Sequence, residues 1–242
     1  MRYFAVVSYD GTNYAGWQIQ PNGKTIEEEI EKVLSLLLNS FIKIYGSGRT
    51  DAGVHAVGQT FDFVSKKIPN LSKFRYSLNR LLPNDIHVKS LKKVDDNFSS
   101  RLSAFKKTYL YKINTGESDV FNRLYVCQIH QKLDVALIKE AASLFIGKHS
   151  FQNFTAKEDD EDNFVRTIFD IKITKRGKLV HIYFTGDGFM RYMIRMIVGT
   201  LIQVGLHKLS IEDVNSYLVS SKRKPVPYKA EANGLTLVKV YY

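Results

Sequence analysis

The stretch Tyr45-Gly46-Ser47-Gly48-Arg49-Thr50-Asp51-Ala52-Gly53-Val54-His55-Ala56-Val57-Gly58-Gln59 decides how this chain is read. Its four glycines permit backbone angles closed to other residues and let a ligand approach the main chain. An apolar, strand-like run, Phe41-Ile42-Lys43-Ile44-Tyr45, precedes it, and another, Thr60-Phe61-Asp62-Phe63-Val64, follows. The pattern predicts a glycine-rich loop between two strands. That loop presents one carboxylate, Asp51, with the guanidinium of Arg49 two residues before it. Glycine-rich loops are commonly only tight connections, and a loop aspartate commonly bonds its own backbone. A phosphate-cradling loop is excluded by spacing. No Lys-Ser/Thr pair follows the last glycine, and Asp51 stands where the dinucleotide fingerprint needs a glycine.

Working outward, the chain has 242 residues, 44% of them hydrophobic, enough for one large or two modest cores. The 35 Lys+Arg against 24 Asp+Glu give a formal net charge of +11. Such an excess favours a polyanionic partner, either nucleic acid or an anionic membrane surface. No apolar run approaches the ~18 residues of a membrane span. The opening residues read as a strand rather than a signal peptide. The single cysteine, Cys127, excludes an internal disulfide and reads as a buried strand residue in a reducing compartment, the cytoplasm. No Cys or His pair has metal-ligand spacing, so no structural zinc is expected.

Residues 2–9 read as a strand ended by the turn signal Asp10-Gly11. A loop rich in aromatic and amide groups, 12–23, follows. Thr25-Ile26-Glu27-Glu28 is a capping box, and Ile26, Ile30, Val33, Leu34 and Leu37 then form one helical stripe. A second helix is predicted over Leu71 to Leu82, stopped by Pro83-Asn84, before a strand led by Ile86-His87-Val88. The second half repeats this order: a strand over 107–113, a helix capped by Asp134, a hairpin about Lys175-Arg176-Gly177, a helix over about Phe189 to Val204, and a last strand over Leu235 to Tyr241. The pattern predicts an α+β fold of two strand-helix-strand-strand-helix-strand, ferredoxin-like halves with antiparallel sheets flanking a central cleft. The halves are 1–104 and 105–242. Two charge runs stand out. Glu158-Asp159-Asp160-Glu161-Asp162 reads as a solvated loop, and Lys222-Arg223-Lys224 as a solvated turn or a phosphate contact.

From Met193 to Val204 the later helix is apolar nearly all round, so it should be buried, and Arg195 is its only charged residue. A guanidinium there needs a carboxylate or another strong acceptor, and Asp51 is the natural candidate. Tyr109 and Tyr111 share one strand face, where tyrosines are usually packing residues.

Gly48-Arg49-Thr50-Asp51-Ala52-Gly53-Val54-His55-Ala56 closely resembles the active-site motif of the tRNA pseudouridine synthase A family. Tyr9-Asp10-Gly11 through Tyr14, Gly16-Trp17-Gln18 looks like a second signature of it. The resemblance extends through Arg101 to Tyr111, Gly188 to Arg195 and Gly234 to Leu237, although Met190-Arg191-Tyr192 departs from the more usual Leu-Tyr-Asn. It implies that Asp51 is the catalytic residue, that Tyr109 packs against the target base, and that Arg195 pairs with Asp51. Arg49 becomes a substrate-binding candidate. The implied reaction is uridine to pseudouridine in tRNA, at positions 38, 39 and 40 of the anticodon stem-loop, by a homodimer. No cofactor is expected, because the isomerisation is redox-neutral. Two other readings compete: a non-catalytic RNA-binding module, and a small-molecule hydrolase using Asp51 with His55. A binding module has no use for a carboxylate paired with a buried arginine, and no second carboxylate or metal site accompanies the hydrolase pair.

Overall fold

The computed structural model describes residues 1–156 and 164–242, so the acidic run 158–162 lies outside the described residues. In chain order the elements are β1 (Arg2–Tyr9), α1 (Ile26–Leu38), β2 (Ile44–Gly46), β3 (His55–Val64), α2 (Leu71–Leu81), β4 (Ile86–Val94), β5 (Lys106–Asn114) and β6 (Cys127–Gln128). They continue with α3 (Val135–Ser143), β7 (Gly147–Ser150), β8 (Val165–Arg176), β9 (Leu179–Gly186), α4 (Met193–Gly205), α5 (Ile211–Val219) and β10 (Leu235–Tyr241). The chain forms two compact units, Met1–Phe105 with Thr236–Tyr242, and Lys106–Leu235. The mixture of helices and sheet is the expected α+β class. The terminal strand, grouped with 105–242 in the sequence reading, clusters with the first unit instead.

In the first unit, β1 lies between β3 and β4, antiparallel to both. The other edge of β3 is shared. Its far end pairs antiparallel with β2, from Ile44↔Phe63 to Gly46↔Phe61, and its start pairs parallel with β10 at Thr236↔His55 and Leu237↔Ala56. The sheet is therefore not purely antiparallel, because β10 arrives from a distant part of the chain and is not joined to β3 by a hairpin. Its end is anchored by rings. Tyr242 packs edge-on to Phe4 at 5.2 Å, and its hydroxyl donates to Ser100 O at 2.8 Å.

The core follows from alternation along these strands. Tyr3 stacks on Phe63 at 5.5 Å, and Trp17 fits between Tyr9 and Phe61. α1 starts where expected, with Thr25 Oγ1 accepting from Glu28 N at 3.4 Å. Ile26, Ile30, Val33 and Leu34 are buried, and the stripe loosens at Leu37 as Asn39 turns left-handed (φ 45°) and ends the helix. A charge is buried as well. Asp62, wholly inside β3, pairs with Arg2 and accepts from Ser100 N at 2.7 Å, which supplies the partners a buried carboxylate requires.

In the second unit the sheet order is β5-β9-β8-β7, antiparallel throughout, with β6 alongside β5 in parallel. β8 and β9 form the expected hairpin, turning at Gly177-Lys178 with Gly177 at φ 58°. Beyond the simple repeat, the unit carries the short strands β6 and β7, a 3-10 turn at Gln152–Phe154, and α5 with a capping box between Ser210 and Asp213. α3 buries Ile138, Ala141 and Ala142, while Leu137 is only half-buried. Gly205 of α4 lies against Ile138 of α3, where a Cβ would come within 2.5 Å of the isoleucine. Asn153 is fully buried. Its side chain donates to Tyr217 O at 2.8 Å and accepts from Lys224 N at 2.5 Å, tying down the segment that holds Lys222-Arg223-Lys224. Cys127 is buried and free, and burial pushes its thiol up. No helix of the described residues is long and apolar enough to cross a membrane.

Candidate active site

Asp51 sits half-buried between β2 and β3, with Arg49 exposed two residues earlier. The loop is shorter than the sequence suggests, because β3 begins at His55 and takes in Ala56 to Gln59. At the loop entry the wholly buried Gln59 reaches across. Its Oε1 accepts from Ser47 Oγ at 2.8 Å, and its Nε2 donates to Gly48 O at 2.9 Å. Just before Asp51, the Thr50 hydroxyl bonds Tyr9 Oη at 2.8 Å, and Thr50 O accepts from Trp17 N at 3.0 Å. Just after it, Val54 N donates to Asp51 O at 3.1 Å and Gly53 N to Tyr14 O at 3.4 Å. The backbone on both sides of the carboxylate is thus tied to β1, to β3 and to the aromatic loop 12–23. Buried hydrogen bonds of this kind fix a loop as firmly as a regular element.

The four glycines divide by role. Gly53 alone uses a left-handed angle (φ 76°). Gly46 faces the Trp17 indole and Gly58 the Val238 carbonyl, and a Cβ would come within 2.6 Å and 2.4 Å of them. Those two glycines serve packing rather than ligand approach. A third close contact lies outside the motif. A Cβ on Gly11 would stand 2.0 Å from Val54 O. Gly11→Ala should therefore push the Asp51 loop off β1 and destabilise the protein by about 2–3 kcal/mol, the usual cost of overpacking against backbone. Chemical denaturation measures this, and a variant as stable as the parent would show that the contact is slack.

The same crossing holds His55, which is 5% exposed. Its Nδ1 accepts from Gly11 N at 3.1 Å and stands 3.1 Å from Asp10 Oδ1. Asp10 Oδ1 also accepts from Thr12 Oγ1 at 2.6 Å. An imidazole engaged in this way is a brace, which speaks against the hydrolase reading. Tyr14, in the aromatic loop, donates to Asp85 Oδ1 at 2.5 Å, and burial together with that carboxylate pushes its phenol far up.

In the second unit, Tyr109 and Tyr111 share a face of β5, with different fates. Tyr111 is wholly buried and donates to Glu231 O at 2.8 Å, so it is a core tyrosine whose phenol is raised by burial. Tyr109 packs edge-on to Phe189 at 5.3 Å. α4 starts at Met193 rather than near Phe189, because Tyr192 is left-handed (φ 62°) and the first helical bond runs from Met196 N to Tyr192 O at 2.9 Å. The helix is buried apart from Arg195, Gln203 and its flanks, as its composition requires. Arg195 Nε donates to Ala230 O at 2.8 Å, and Ala230 N returns a bond to Arg195 O at 2.9 Å. Arg49 and Asp51 are thus placed on one loop of the first unit, and Tyr109 and Arg195 in the second.

A family model described as tRNA pseudouridine synthase matches residues 5–101 and 141–242. The chain belongs to the tRNA pseudouridine synthase family. Named relatives agree. "tRNA pseudouridine synthase A 1" of Protochlamydia amoebophila is 40% identical, over 99% of this chain and 96% of its own. "tRNA pseudouridine synthase A" of Clostridium kluyveri is 42% identical over 98% of each. The Bacillus subtilis protein of the same name is 39% identical over 100% of this chain and 99% of its own. The matched segments of the family model contain Arg49, Asp51 and Arg195, whereas Tyr109 falls between them. What the sequence reading missed are the supports: Gln59 beneath the loop, the His55–Asp10 brace, and a set of cations about Tyr192. The first two lie within recognised motifs but carry no signal of their own. The third joins residues far apart in sequence.

Proposed function

We propose that the protein isomerises uridine to pseudouridine in tRNA, acting at positions 38, 39 and 40 of the anticodon stem-loop as a cytoplasmic homodimer. The observation that carries the reading is Asp51, presented half-buried on a loop braced on both sides, within a chain of this family. In the reaction the N1–C1′ bond breaks, the uracil turns, and C5 bonds to C1′. C5 gives up its proton and N1 ends protonated, so nothing is consumed. Asp51 acts at the sugar, as nucleophile at C1′ or as base at the 2′ carbon. Tyr109 holds the detached ring, Arg195 pairs with and aims the Asp51 carboxylate, and Arg49 binds substrate. A base within a stem must be flipped out to be reached, and the positive charge of the chain suits the RNA backbone. Tritium release from C5-labelled uridine in an unmodified tRNA transcript tests the reading. Release with label at 38–40 is expected, and none from any position would overturn it.

Tyr109→Phe should lower turnover by about tenfold to a hundredfold, within the range of general acid–base effects, while shifting tRNA affinity little. The ring remains to stack, but the hydroxyl that orients or moves a proton is lost. Single-turnover rates beside filter-binding constants measure both. A variant equal to the parent would reduce Tyr109 to a packing residue.

A further inference from the structure

A ring outside the recognised motifs reaches the entry of the Asp51 loop. Tyr242, just past β10, packs on Phe4 and Phe98, each at 5.2 Å. The residue is 41% exposed, yet its hydroxyl is turned inward, where burial pushes the phenol up. That hydroxyl donates to Ser100 O at 2.8 Å and lies 2.5 Å from Thr60 Oγ1. A hydroxyl has one proton to give. Since that of Tyr242 goes to Ser100 O, the Thr60 hydroxyl donates to Tyr242 Oη. Ser100 is a fixed point, wholly buried, with its N donating to the buried Asp62 carboxylate at 2.7 Å. On the other side, Thr60 is 3% exposed and grips the loop. Its O accepts from Ser47 N at 2.9 Å, and its N donates to Gln59 Oε1 at 3.0 Å. The same Gln59 holds the Ser47 hydroxyl and Gly48 O, and Gly48 stands three residues before Asp51. All of these residues belong to the first unit.

Hydrogen bonds shielded from water are stronger than exposed ones and hold a geometry. A reacting carboxylate must be held to within a fraction of an ångström, so the support of its loop bears directly on rate. We propose that Tyr242 is a positioning residue for the isomerisation. Its hydroxyl, acting through Thr60, sets the entry of the loop and so the place of the Asp51 carboxylate. This rests on the reading of Asp51 given above and adds a named support to it. The ring of Tyr242 supplies packing and its hydroxyl supplies position, and substitution separates the two.

Tyr242→Phe keeps the ring, deletes the hydroxyl and leaves that of Thr60 without its acceptor. Single-turnover tritium release from an unmodified tRNA transcript should fall by about tenfold to a hundredfold, the cost of displacing a reacting group by ~1 Å. Affinity for the transcript should stay within about threefold, because no cation is lost. Trp17, the only tryptophan, reports the loop directly. Its N donates to Thr50 O at 3.0 Å and its indole lies against Gly46, so its emission should change in the variant. Thr60→Val should lose as much rate as Tyr242→Phe, and Thr60→Ser should keep most of it. These two variants carry the test should Tyr242→Phe not fold. The double variant Tyr242→Phe with Thr60→Val should be scarcely slower than either alone. Phe98→Leu loosens the same ring cluster without touching the hydroxyl, and should lower stability while sparing the rate. A rate and emission of Tyr242→Phe equal to those of the parent overturn the proposal. So does an equal rate loss in Phe98→Leu, which would tie the rate to packing, and so do multiplying losses in the double variant. The functional reading fails separately. A parent that releases no tritium sinks that reading, and the emission of Tyr242→Phe then still decides whether the hydroxyl sets the loop.

Discussion

Asp51→Asn should abolish isomerisation, with turnover falling by roughly four orders of magnitude or more, the scale seen when a reacting side chain is removed. The amide fills the same space on the same loop. The contacts that hold the backbone there come from Gln59, Tyr9, Trp17 and Tyr14, none of which depends on the carboxylate. The loop should keep its shape, and tRNA affinity should change by no more than about threefold, since a carboxylate neutralises no phosphate and its isosteric replacement removes none of the cations that carry the electrostatic part of binding. Tritium release and filter binding on one preparation measure the two quantities. Full turnover by the variant would remove Asp51 from the chemistry whichever role at the sugar it is given.

The second large effect is at Arg195. Replacement by Met keeps much of the volume and deletes the charge and the donor. Turnover should fall by about a hundredfold to a thousandfold, the usual range for removing one preorganised electrostatic contact. Stability should fall by about 1–3 kcal/mol, because Ala230 O loses the Arg195 Nε donor. Arg195→Lys should recover only part of the rate, as lysine keeps the charge without the planar fork. A double-mutant cycle probes the proposed pairing itself. If Arg195 acts through Asp51, then Asp51→Asn combined with Arg195→Met should be scarcely slower than Asp51→Asn alone. Multiplying losses would separate the two residues and confine Arg195 to holding the chain at Ala230.

Much of this was legible in the sequence because it is local. Thr25 and the stripe behind it announce α1, and Asp134 announces α3, since a cap and a period lie within one or two turns of chain. The loop motif was legible for the same reason. What escaped depends on contacts distant in sequence. Phe41 to Lys43 reads as strand but stays outside β2, because only Ile44–Gly46 finds a partner on β3. The β3 strand starts early because Thr236 and Leu237 pair with His55 and Ala56. The start of α4 was misplaced by one left-handed residue, Tyr192, whose angle no propensity suggests. Tyr109 and Tyr111 have the same pattern and neighbours in sequence. Only the structure separates the one anchored to Glu231 from the one against Phe189.

The shared edge of β3 has a consequence for synthesis. β10 belongs to the first unit, yet the ribosome makes it only after all of the second. At ~5–20 residues per second, that leaves the first unit incomplete for on the order of ten seconds. Through that interval the start of β3 has no parallel neighbour, and the rings of Phe4 and Phe98 await Tyr242. An open strand edge beside uncovered aromatics is a surface on which nascent chains stick to one another. The loop that presents Asp51 runs directly into that edge, so the strand it leads into is fully paired only when the last strand closes. A chain released short of β10 would carry every residue named for the chemistry and still lack the strand against which the loop is set.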